Sequence, residues 1–94
     1  MSVYRITEFT SPDMTKATEA MEPLRSELAT VGAESIEIVS VGDGKGLVVA
    51  KYATQAIMEA ATSIQQKVFG TMISSGHING DSISGQSGEV ILTL

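Results

Sequence analysis

The chain contains no cysteine and no tryptophan, and its 94 residues include one histidine, two prolines, two phenylalanines and two tyrosines. Without cysteine there is neither a disulfide nor a thiolate metal site, and a single histidine excludes an all-imidazole site within one chain. Stability must come from packing, and with so few aromatics the core must be aliphatic. Basic residues are also scarce, six Lys and Arg against eleven Asp and Glu for a formal charge of -5. That balance argues against a phosphate backbone or an anionic lipid surface, so neither nucleic acid nor membrane is expected as a partner. No stretch approaches the ~20 apolar residues of a membrane span, and Arg5 and Glu8 interrupt any apolar leader. A cytoplasmic protein is the resulting expectation.

What is present fits one folding unit over residues 1–94, because two halves would each be too short to bury a core. Val3 to Phe9 alternates and carries β-formers, so a first strand is predicted there. Ser11 is read as a helix cap, with Pro12 at the first helical position and Asp13 against the positive end of the dipole. Met14, Ala17, Met21, Leu24, Leu28 and Val31 then draw one apolar stripe at helical spacing. Pro23 falls nearly opposite that stripe and is expected to kink the helix, freeing the carbonyl of Glu19, before Gly32 ends it.

Residues 35–53 read as a hairpin of strands Ser35–Val41 and Leu47–Ala53 around Gly42-Asp43-Gly44-Lys45-Gly46. A symmetric register sets Val41 opposite Leu47, Val39 opposite Val49 and Glu37 opposite Lys51, the last an opposite-charge pair. Thr54 can cap a second helix whose stripe is Ile57, Ala60, Ala61, Ile64, Val68 and Met72, ending between Gly70 and Gly76. Met58, Phe69 and Ile73 lie on a neighbouring strip. The Gly- and Ser-rich segment 74–88 is expected to be a long surface loop, and Glu89 to Leu94 the last strand.

The order β-α-β-β-α-β predicts an α+β, ferredoxin-like fold: a four-stranded antiparallel sheet with two helices on one face. The other face is then left apolar, so a homodimer through open sheet faces is predicted. Ile36, Ile38, Ala50 and Tyr52 are placed beneath the helices, leaving Val39, Val41, Leu47 and Val49 for the partner.

In element order, length and a first strand of the type Val3-Tyr4-Arg5-Ile6-Thr7-Glu8-Phe9, the chain resembles the dimeric α+β barrel superfamily over nearly its whole length. That group includes antibiotic-biosynthesis monooxygenases and muconolactone isomerase. The resemblance implies a sheet-to-sheet dimer and a pocket between sheet and helices. Monooxygenases of this group use an Asn, a Trp and a Tyr or His there. This chain has no Trp, and its only Asn and His, Asn79 and His77, fall together in the late segment, so no catalytic residue is carried over.

Four side chains are the candidates for chemistry. His77 is the one group titrating near neutrality, with Asp81 close enough along the chain to orient it. Tyr4 and Tyr52, on neighbouring strands, are read as core packing with the hydroxyl at the rim, or as a phenol each directed into the helix-covered cavity. Arg5 lacks the partner that Glu37 offers Lys51, which makes it the candidate for an anion. Phe69 and Met72 are candidate ligand-binding residues, an adaptable apolar wall. The Gly42–Gly46 turn lacks the spacing of a phosphate loop, and Asp13, Asp43 and Asp81 stand on separate loops, so neither a metal nor a cofactor is expected. Binding of a small, largely apolar metabolite, or a role as an assembly module, is the first functional expectation, and a cofactor-independent monooxygenase or an isomerase is the alternative.

Overall fold

An inner strand of eight residues, β1 (Val3–Thr10), organises the computed structural model, which describes residues 1–94. Its side chains alternate, as a pleated strand requires. Val3, Thr7 and Phe9 are buried with Arg5 half-buried beside them, while Tyr4, Ile6 and Glu8 point to the other face. Helix α1 (Met14–Met21) follows and is capped by Asp13, whose carboxylate accepts from the Lys16 amide at 3.1 Å. Ser11 is therefore not the cap. Its buried hydroxyl accepts from the Asp13 amide at 3.2 Å and donates to the His77 carbonyl at 2.5 Å, tying this loop to a distant turn.

Pro23 does more than kink the helix. The chain passes through a 3-10 turn (Glu22–Leu24), a single α-turn α2 (Arg25–Leu28) and a second 3-10 turn (Ala29–Val31), stopping at Gly32 with φ of 75°. The Glu19 carbonyl is not freed either, because the tightened turn gives it the amide of Glu22.

Strands β2 (Ser35–Gly42) and β3 (Lys45–Tyr52) meet at a two-residue turn, not the five-residue loop expected. Asp43 and Gly44 have φ of 53° and 73°, the pair of positive values that a hairpin turn matching strand twist needs. A bulge between Ser40 and Gly42 then sets the register: Val39 faces Leu47, Glu37 faces Val49 and Ser35 faces Lys51. The pairing is two residues away from the symmetric one, and Lys51 takes Glu34 as its ion partner at 3.7 Å in place of Glu37. A shift of two preserves side-chain parity, so the faces stand as expected.

Thr54 caps α3 (Gln55–Ala60), accepting from the Ile57 amide at 3.2 Å. The helix is interrupted at Ala61, whose amide is shared between the carbonyls of Ile57 and Met58, and resumes as α4 (Thr62–Ser74). Met58, Ala61, Val68 and Met72 are its buried residues, so the inward stripe is rotated towards Met58 and away from the exposed Ala60.

The last strand, β4 (Ser84–Glu89), lies inside the segment expected to be loop. The turn after α4 is pinned to the far end of β1. Asn79 donates its amide to the Thr10 carbonyl at 3.0 Å, Ser82 Oγ accepts from the Thr10 amide at 2.9 Å, and Ile78 is buried. Running back from there, Ser84 falls opposite Glu8 and Glu89 opposite Val3. The chain reaches the start of β1 at Val90, whose amide donates to the Ser2 carbonyl at 2.8 Å. Ile91, Leu92 and Leu94 lie beyond β4 and are exposed.

The sheet order is β2-β3-β1-β4, all antiparallel, which is the ferredoxin-like βαββαβ topology. Two packed clusters fill the space under the helices. One gathers Val3, Val31, Ala50, Tyr52, Met58 and Ala61, the other Phe9, Ala17, Met72 and Ile78. The opposite sheet face carries no helix and presents Ile6, Val39, Leu47 and Val49, with Val41 exposed in the bulge beside them. No helix is long and apolar enough to cross a membrane.

Candidate functional site

Two polar side chains sit on the buried face of β1, at alternate positions between Val3 and Phe9, and they create the most unusual feature of the molecule. Arg5 reaches under the helix interruption. Its Nη2 donates to the Met58 carbonyl at 3.0 Å and to Thr62 Oγ1 at 2.8 Å, and its Nη1 donates to Gln65 Oε1. Gln65 Nε2 in turn donates to Thr7 Oγ1 at 3.1 Å, and Thr7 is buried. The guanidinium carbon also stands 6.0 Å from the ring centroid of Tyr52.

Every partner of Arg5 is neutral. The ion pairs of the molecule are Arg25 with Glu22, Lys51 with Glu34 and Lys67 with Glu27, and Arg5 belongs to none of them. A half-buried cation held by dipoles alone keeps a positive potential directed at whatever space adjoins it.

That space is of two kinds. A groove of about 540 Å³ runs between α4 and the β1–β4 edge, bordered by Arg5, Thr7, Gln65, Phe69, Ile73 and Gln86. Behind it lies an apolar cavity of about 50 Å³ under the sheet, bordered by Met21, Leu28, Ile38, Val48, Val68 and Met72. Arg5, Thr7, Gln65 and Phe69 border both, and form the wall between them. On its far side the cavity shares Met21, Leu28, Ile36 and Ile38 with a second open groove of about 420 Å³, beneath α1 and α2.

The candidates named from sequence separate clearly on this geometry. Arg5 is in the dividing wall. Tyr52 borders the inner cavity and is 3% exposed, and burial raises its phenol above the usual 10.0, an effect the nearby Arg5 charge opposes. Phe69 borders both spaces and packs edge-on to Phe9 at 6.5 Å between ring centroids, while Met72 borders the inner one.

Tyr4 is a correction. Val3 faces Tyr52 and Tyr4 faces Lys51 across β1 and β3, so the two tyrosines lie on opposite sheet faces. Tyr4 is on the open face with Lys51 Nζ 6.0 Å from its ring centroid, away from the helix-covered cavity. His77 is in the turn after α4 and borders neither the groove nor the cavities, and Asp81 in the next 3-10 turn is exposed and does not hydrogen-bond to it. No three side chains among His, Asp and Glu come together as a metal site would need.

Sequence reasoning missed Thr7, Thr62 and Gln65. The signal was available, because 58, 62, 65, 69 and 72 follow helical spacing and place two polar residues within the stripe that faces Arg5 and Thr7.

No family model matches the chain, and no curated protein matches its sequence. Solved structures do match, over nearly full lengths. A dimeric ferredoxin-like protein from an uncultured marine organism shares 15% identity, with 100% of this chain and 98% of that one covered at a TM-score of 0.72. SnoaB, a cofactor-independent oxygenase from Streptomyces nogalater, shares 10% identity over 99% and 96% of the two chains at a TM-score of 0.75. A conserved protein from Methanosarcina mazei shares 5% over 95% and 92% at 0.73. The chain therefore has the fold of the ferredoxin-like proteins that include dimers and antibiotic-biosynthesis-type oxygenases.

Proposed function

We propose that the protein is a homodimer that covers its open sheet face with a second copy and binds a small, largely apolar molecule between the sheet and α4. The observation that carries the binding reading is the adjacency of the two spaces. A groove wide enough for a metabolite adjoins an apolar cavity across a wall of four shared side chains. Both flexible methionines of that cavity, Met21 and Met72, can repack around an occupant.

The dimer reading is supported by the apolar residues on the bare sheet face and by the exposed Ile91, Leu92 and Leu94 beyond β4. A dimeric protein of the same fold adds to it. An oxygenase or isomerase is the second reading, supported by the SnoaB fold and by Arg5 and Tyr52, the two polar candidates that border the inner cavity.

Native mass spectrometry of freshly purified protein tests the proposal in one spectrum. A dimer carrying a reproducible small-molecule adduct is the expected result. A clean monomer would contradict the assembly, and a dimer that takes up no small apolar compound on titration would contradict the binding site.

A further inference from the structure

Arg5 cannot be explained as a structural ion pair, and its hydrogen-bonded seat has an odd occupant. A guanidinium fork matches a carboxylate edge, yet here the Nη1 site is filled by the side-chain carbonyl of Gln65 and the Nη2 site by Thr62 and a backbone carbonyl. Two neutral side-chain oxygens, from Gln65 and Thr62, occupy the donors that a carboxylate would take. Both belong to side chains of α4 that border the groove, so both can turn outward without moving the backbone.

On the inner side of the same wall the lining is almost wholly apolar. A molecule that satisfies both sides must have one anionic end and an apolar body. Sulfate-like or doubly charged ligands lack the second property, and neutral hydrocarbons and alcohols lack the first.

We infer that the site selects a monocarboxylate with an apolar chain, its carboxylate displacing Gln65 and Thr62 from Arg5. The chain lies along Phe69 and Ile73 in the groove, and its end passes the wall into the cavity of about 50 Å³ that Met21 and Met72 enlarge by repacking. Gln65 is then a latch. With the site empty it occupies Arg5 and bridges to Thr7, closing the wall. With the ligand bound it gives up Arg5. The inference rests on the proposed binding of a small apolar molecule between sheet and helices, and adds its chemical class and the residue that reads it.

The test compares octanoate with octan-1-ol, two probes with the same chain and different heads, by calorimetric titration and by NMR of the backbone amides. Octanoate is expected to bind the wild-type protein about tenfold or more tightly than the alcohol, the difference a charge-assisted hydrogen bond makes. Its largest shifts are expected at Arg5, Thr7, Gln65 and Phe69. Arg5→Met should abolish the preference, octanoate then binding no more tightly than octanol.

Gln65→Glu keeps Arg5 and places a permanent carboxylate on it. It should likewise lose octanoate, and it carries the test alone if the Arg5 variant does not fold. Equal binding of the two probes by the wild type, or a preference that survives either substitution, would overturn the inference while leaving the pocket in place. Failure of both probes to shift any of those amides would overturn the inference and the binding site together.

Discussion

Tyr52 shows how one residue couples the core to solvent conditions. It is the only aromatic on the helix-facing side of β3, and its phenol is held in the protonated form by burial, with Arg5 pulling weakly the other way. A raised pKa in the folded state means that, above the ordinary value of 10.0, the unfolded chain ionises first and the folded chain keeps its proton. The unfolded state then binds fewer protons, and stability falls as pH climbs through about 10 towards the folded value. Urea midpoints taken on either side of about 10 should therefore drop more for the wild type than for Tyr52→Phe. Equal drops in the two proteins would mean that the phenol is not desolvated in solution. At this scale the sequence was partly legible. Alternation along Val3 to Phe9 placed Arg5 on a defined face, but the chemistry of that face depended on Thr62 and Gln65, some sixty residues on, and only the three-dimensional packing brings them to the guanidinium.

Among the elements, the β2–β3 hairpin and its contact with β1 depend most on backbone detail. Gly46 faces Phe9 across the β1–β3 pair, and a Cβ there would lie 2.5 Å from the buried ring's Cζ. Phe9 is fully buried and cannot swing away. Gly46→Ala is expected to cost about 1–3 kcal/mol, the range for overpacking a core, read as a lowered denaturation midpoint with an unchanged slope. A midpoint that stays put would show that Phe9 does not lie over the Gly46 backbone. Element type and order were legible from period, the Pro23 interruption and the Thr54 cap. Register was not, because the Asp43-Gly44 pair that makes a two-residue turn sat inside a run of glycines that looked like a longer loop. Strand β4 escaped for a different reason. Ser84-Gly-Gln-Ser-Gly-Glu89 has no β-forming side chain, and it pairs because Asn79 and Ser82 anchor the preceding turn to Thr10 and bring the backbone alongside β1. The apolar Val90–Leu94 has the composition of a strand, but beyond the hydrogen bond from the Val90 amide to Ser2 it lies outside the sheet.

For the molecule as a whole, the decisive asymmetry is between the two faces of one sheet. Ile36, Ile38, Ala50 and Tyr52 lie under the helices and Val39, Leu47 and Val49 on the bare face, a grouping that parity gave while leaving open which group the helices cover. A two-residue error of register left this untouched, whereas an error of one would have inverted it. The proposed dimer follows from that partition, since the bare face is the apolar surface a second copy would cover. Val49 is in the middle of the bare face, opposite Ile6 on β1 and Glu37 on β2. A lysine there would carry a charge into the interface, where pairing with Glu37 would not offset the cost of taking both ions out of water. In a monomer it would still reach solvent. Sedimentation velocity of the wild type and of Val49→Lys, with circular dichroism to confirm the fold, is the most direct test. A dimeric wild type and a folded monomeric variant are the predicted results. A wild type that sediments as a monomer, or a variant that remains dimeric, would contradict the account.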